Sequence, residues 1–114
     1  MTVEITSARS EDVDFRPYLK EISARLKRNW HLFAPESALD KEKGTVTVRF
    51  HIQRDGTILP DEPILVAGSG NEALDNAALE AIRKSVPFDH LPVTFDGLMI
   101  RLRCIFKSGV GSDP

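Results

Sequence analysis

Three imidazoles and one thiol are the side chains of this 114-residue chain best suited to hold a metal or to pair as nucleophile and base. Such chemistry needs clustering, because a zinc site gathers ligands at short spacings and a thiolate nucleophile needs an activating neighbour. His31, His51 and His90 stand in three separate segments with no ligand-type spacing. His51 falls on what reads as the wet face of a strand beside Arg49, where a solvated imidazole is the simpler state. His90 adjoins Asp89 in a connector, which suits a loop contact. Cys104 lies in an apolar strand with no assignable base, so it reads as a buried structural thiol, and a lone cysteine closes no internal disulfide. Gly68-Ser69-Gly70 has the spacing of neither a phosphate loop nor a nucleophile elbow. The expectation is a protein that is not an enzyme, with no catalytic residue, metal ligand or cofactor.

Composition points the same way. Hydrophobic residues make up 41% and charged residues 28% of the chain, which suits one globular domain with a modest core. The formal charge of −2 is spread through the sequence, which argues against nucleic acid or an anionic membrane as the partner, since both need a clustered basic face. No apolar run approaches the ~20 residues of a membrane span, and Met1-Thr2-Val3-Glu4-Ile5 does not open a signal peptide. The chain is expected to be soluble as written, or to be a domain whose anchor lies upstream. Residues 1–13 are polar and patternless and read as a flexible leader or linker. Residues 14–107 read as the domain, and 108–114, rich in glycine and serine, as a disordered tail.

The elements follow from periodicity. Asp14 as N-cap and Pro17 in the first turn open a helix, and Phe15, Tyr18, Leu19, Ile22, Leu26, Trp30 and Phe33 recur at helical spacing until Pro35. After Gly44, apolar Val46, Val48, Phe50 and Ile52 alternate with Thr45, Thr47, Arg49, His51 and Gln53, a strand with one buried face. Asp55-Gly56 is a hairpin pair, followed by a return strand of about residues 58–66 that Pro60 and Pro63 break and confine to a sheet edge. Ser69 with Glu72 matches a capping box, Asn71 being a rival cap. Leu74, Ala78, Ala81, Ile82 and Ser85 then share a helical face up to Pro87. Phe88, Leu91 and Pro92 form an apolar connector, and Ile100, Leu102, Cys104 and Phe106 alternate in the last strand.

Assembled, these elements give an α+β two-layer sandwich of αββαβ order. The hairpin makes its two strands antiparallel, and the right-handed crossover brings the last strand back parallel to the second. The first strand fits between them, a three-stranded antiparallel sheet in the order 2-1-3 with both helices on one face. The core is expected from Leu19, Ile22, Leu26, Trp30, Val46, Val48, Phe50, Ile52, Leu74, Ala78, Ala81, Ile82, Phe88, Ile100, Leu102 and Phe106. The second strand guards its edge with Pro60, Asp61, Glu62 and Pro63, whereas the last strand contains no proline. Its backbone would be open to strand addition, in which main-chain hydrogen bonds hold a partner segment. The expected partner-binding residues are Leu98, Met99, Ile100, Arg101, Leu102, Arg103, Cys104, Ile105 and Phe106. The competing arrangement is that residues 1–13 or the tail cover this edge.

The run Gly44-Thr45-Val46-Thr47-Val48-Arg49-Phe50-His51-Ile52, then Arg54-Asp55-Gly56-Thr57-Ile58, resembles the hairpin of TonB-family carboxy-terminal domains. Ser69-Gly70, Leu74-Asp75-Asn76-Ala77-Ala78-Leu79-Glu80-Ala81-Ile82, Pro87-Phe88 and Leu91-Pro92 resemble the stretch that follows it in that family. The resemblance spans about 44–106, and the first helix with Tyr18, Ile22 and Trp30 also resembles the related TolA domain. It implies a periplasmic domain tethered to the inner membrane, whose last strand pairs with the TonB-box segment of outer-membrane transporters. An inner-membrane motor complex would drive it through an upstream anchor and proline-rich spacer that this chain lacks. A TolA-like envelope scaffold, or a self-associating module pairing the same edge as a homodimer, is the alternative.

Overall fold

Every second residue from Val46 to Ile52 is apolar, and an extended strand is the backbone state that puts all of them on one side. The computed structural model, which describes residues 2–6, 13–34 and 44–108, adopts that solution. Its elements run β1 (Thr2–Ile5), α1 (Arg16–Phe33), β2 (Gly44–Gln53), β3 (Ile64–Ala67), α2 (Glu72–Ser85) and β4 (Met99–Ser108). The strands form a single sheet in the order β1-β4-β2-β3, antiparallel throughout. The centre is the ladder of β2 on β4, ten residues from Gly44 opposite Ser108 to Gln53 opposite Met99. The fold is α+β, with the core between the two helices and one face of the sheet.

Two expectations need correction. The sheet has four strands, not three. The order β3-β2-β4 is the anticipated 2-1-3, but Thr2–Ile5 adds a strand on the far side of β4. These residues fall in the stretch expected to be a flexible leader, and they place β4 inside the sheet instead of at its edge. The return strand is also shorter than its apolar content suggested, starting at Ile64 and not near Ile58. Pro60 and Pro63 bring no N–H to a ladder, and the chain turns at residues 60 and 61 before pairing begins. The side chain of Glu62 substitutes for the missing strand, its Oε1 accepting the backbone N–H of His51 at 2.6 Å.

The core is the expected one with small changes at its margin. Val46, Val48, Phe50 and Ile52 of β2 and Ile100, Leu102, Cys104 and Phe106 of β4 are fully buried. Ile22, Leu26 and Trp30 of α1 and Leu74, Ala78, Ala81 and Ile82 of α2 cover them. Leu19, expected inside, is half-buried, while Val13, Ala34, Ala77, Leu91 and Phe95 join the core. The cap of α2 is Asn71, whose Oδ1 accepts from Ala73 N at 2.9 Å and Leu74 N at 3.3 Å. Ser69 instead donates its N–H and hydroxyl to Asp75 Oδ1, both at 2.8 Å. The N-cap of α1 is Phe15, not Asp14, and carries no side-chain cap; Asp14 Oδ1 instead accepts from Arg16 N at 3.0 Å from one residue upstream, with Pro17 in the first turn as expected. Pro35, expected to stop that helix, and the tail beyond residue 108 lie outside the described residues.

Polar side chains then lock the layers. Arg25 of α1 donates to the carbonyls of Ser85 and Pro87, each at 3.1 Å, where the end of α2 leaves acceptors unfilled. Asn29 donates to Ser85 Oγ at 2.7 Å. Arg54, just after β2, donates from its guanidinium to the carbonyls of Phe95 and Gly97 and from its backbone N–H to Leu98 O at 3.1 Å. One arginine thereby fixes the chain at the entry to β4.

Candidate peptide-binding edge

In an antiparallel ladder a residue's N–H and C=O point the same way, and the direction alternates along the strand. Arg101 O accepts from Thr6 N at 2.8 Å, so Arg101, Arg103 and Ile105 turn their backbone groups outward, away from β2. Those are the groups a partner strand would need, and β1 takes them. Thr2 stands opposite Ile105, Val3 opposite Cys104, Glu4 opposite Arg103 and Ile5 opposite Leu102.

The nine residues expected to bind a partner are therefore placed in three ways, Leu102 and Cys104 in two of them at once. Arg101 through Ile105 are lined by β1 and Thr6. Ile100, Leu102, Cys104 and Phe106 put their side chains in the core. Leu98 and Met99 are exposed at the start of the strand, where no described residue of β1 reaches.

Side chains repeat the backbone pairing. On the helix side, Val3 and Ile5 are half-buried and pack against the core over Cys104 and Leu102. On the open side, Glu4 Oε1 accepts from Arg103 Nε at 2.7 Å and from its terminal nitrogen as well. Arg101 Nε donates to Thr6 Oγ1 at 3.0 Å. Arg103 also faces Arg49 across the ladder with β2, a like-charge pair that opposes pairing unless an anion sits beside it. Glu4 is that anion.

The opposite edge is β3. It is four residues long, apolar in sequence, and leaves Leu65 and Val66 exposed. Upstream of it the Glu62 side chain, only 4% exposed, closes the flank of β2. Its Oε2 also meets His51 Nδ1 at 2.7 Å, so His51 is partnered by a carboxylate, not solvated. His31 lies edge-on to Trp30 with ring centroids 5.9 Å apart, and His90 is exposed. Among the described residues no cluster of three or more His, Cys, Asp or Glu side chains is placed to hold a metal ion. Burial pushes the Cys104 thiol far above its ordinary pKa, which suppresses the thiolate.

Sequence reasoning read β1 as leader, with its cover of the β4 edge only as the competing arrangement, and missed the contacts of Arg54 and the bond from Glu62 to the His51 backbone. The signal for β1 was present in Thr2-Val3-Glu4-Ile5-Thr6, which alternates polar and apolar with four β-branched residues at Thr2, Val3, Ile5 and Thr6.

Comparison with known proteins agrees with this architecture. Residues 15–103 match the family described as TonB C terminal. The solution structure of the Helicobacter pylori TonB carboxy-terminal domain superposes with a TM-score of 0.63 at 23% identity, covering 90% of this chain and 89% of that one, a likeness of fold. No curated protein matches the chain.

Proposed function

This chain belongs to the TonB C-terminal family, and from that premise we propose that it is the periplasmic protein-binding domain of an envelope energy transducer, engaging outer-membrane transporters by strand addition along β4. The observation that carries this reading is the outer edge of β4, which hosts a strand of only four residues. The inner edge of the same strand pairs over ten residues. No side chain of β1 is fully buried, so releasing it costs far less than opening the β2–β4 ladder. A partner segment of similar form can take the place of β1 without disturbing the core. In this reading the domain transmits force supplied by an inner-membrane motor complex, through an anchor upstream of the sequence given.

The test is a backbone amide titration of the whole chain with peptides from the plug segments of outer-membrane transporters. The expected result is perturbation of Arg101, Arg103 and Ile105 together with loss of the β1 pairing at Thr2 to Thr6. Shifts confined to β3 would remove β4 as the docking strand. The exposed Leu65 and Val66 on β3 favour a second reading, self-association edge to edge. Light scattering over a concentration series separates a monomer from a constitutive dimer.

A further inference from the structure

We propose that β1 is an internal surrogate for the partner strand, so that the segment accepted here carries an acidic residue between two aliphatic ones and runs antiparallel to β4. The inference rests on the reading of the outer edge of β4 as the partner site, and it adds the chemistry that site selects.

Each position of β1 answers a demand made by β4. Opposite Cys104 and Leu102 the incoming side chains lie over a core whose members are fully buried, and Val3 and Ile5 pack there. A polar group at either position would lose water without gaining a partner. Opposite Arg103 the demand is electrostatic. Arg49 faces Arg103 from β2, and no described carboxylate pairs with Arg49. Glu4 alone among the described residues is ion-paired with Arg103. A strand that displaces β1 takes Glu4 away, and an incoming lysine would then add a third cation to this column. An incoming acid restores the charge-assisted bond. At the flanks Thr6 supplies a hydroxyl to Arg101, and Thr2 stands opposite Ile105. The pattern favoured at this edge is therefore aliphatic, acid, aliphatic, hydroxyl, from Val3 to Thr6. Arg49, Arg103 and Lys107 project on the same open face and favour an acidic segment over a basic one.

The test uses the full chain and two synthetic peptides that differ at one position, with the core Thr-Val-Glu-Ile-Thr or Thr-Val-Lys-Ile-Thr. Amide spectra report occupancy of β4 and release of β1 in the same titration. In the native chain the glutamate peptide should release β1, and the lysine peptide should bind roughly tenfold more weakly, since reversing a cross-strand charge counts once as lost attraction and once as repulsion. In the milder Arg103→Gln the preference for the glutamate peptide should shrink, Arg49 and Lys107 still favouring the acid, and in Arg103→Glu it should shrink further. A preference still roughly tenfold in both variants would overturn the pairing with Arg103. Equal binding of both peptides along β4 of the native chain would overturn the acid requirement while leaving strand addition intact. Failure of both peptides to release β1 would overturn the surrogate, and with it the reading of β4 as the docking strand.

Discussion

At Gly56 two constraints meet that no other residue type satisfies. Its φ of +91° lies in the left-handed region, and a Cβ there would sit 2.0 Å from the Phe88 carbonyl oxygen. The approach is close because Phe88 N donates to Gly56 O at 2.8 Å, which ties the hairpin to the connector after α2. Gly56→Ala should therefore lower unfolding free energy by about 3 kcal/mol, read from the urea midpoint at constant slope. An unchanged midpoint would mean that the turn and connector separate freely. Tyr18 gives a second residue-scale test. Its hydroxyl donates to Asp89 O at 2.7 Å, and burial, helped by the nearby Asp89 carboxylate, raises its pKa to about 12. The ordinary value is about 10, so the folded state favours the neutral phenol. That contribution is complete below the ordinary value and is lost as pH rises from there toward about 12. As the sole tyrosine, Tyr18 reports its own titration in the near-ultraviolet absorbance, and Tyr18→Phe should flatten stability across that window. A midpoint at the ordinary tyrosine value would contradict the burial. The Asp55-Gly56 turn was legible because its chemistry is local. The roles of Arg54 and Glu62 were not, since Arg54 answers to carbonyls 41 and 43 residues away and Glu62 to a backbone N–H 11 residues back.

Among elements, legibility followed length. β2 and β4 repeat their alternation over ten residues, and α1 and α2 repeat theirs over 18 and 14, enough turns of each period to identify the state and the buried face. β1 has the same alternation for four residues, and its pairing is specified by β4 across nearly the whole chain. Over so short a run the alternation and β-branching of Thr2 to Thr6 are too weak a signal to separate a strand from a polar leader. Its dependence on Arg103 makes a prediction about the element as a unit. Glu4→Lys places a cation against Arg103 and should weaken β1 docking by about 1 kcal/mol. Hydrogen exchange should then quicken several-fold at Arg101, Arg103 and Ile105, whose amides face β1. Exchange at Ile100, Leu102 and Cys104, which face β2, should keep its native rate. Equal acceleration of both sets would mean that β1 opens only with the whole sheet.

At the scale of the whole molecule, two helices over one face of an antiparallel sheet could be read from the sequence because every long element has a single apolar stripe. Stripes say which faces meet, whereas the state of an edge depends on any strand able to reach it. That is why the layers were legible while the flank of β4 was left between an open edge and cover by residues 1–13, the arrangement that β1 adopts. Trp30 joins the helix layer to the sheet, 3% exposed, its ring set edge-on to Phe106 with centroids 5.2 Å apart. Trp30→Ala should cost ~3–5 kcal/mol through lost burial and the cavity left behind. The indole adds an opposing contribution, for its Nε1 is buried with no hydrogen-bond partner among the described residues. An orphaned donor of that kind costs ~1–3 kcal/mol. Trp30→Phe removes the donor while keeping an aromatic ring against Phe106, so its net loss should fall to about 1 kcal/mol. Because Trp30 is the sole tryptophan, both variants are followed by far-ultraviolet circular dichroism during denaturation. If Trp30→Phe proves as damaging as Trp30→Ala, the indole N–H has a partner in solution, and the junction of the two layers depends on that bond more than on the fit of the ring.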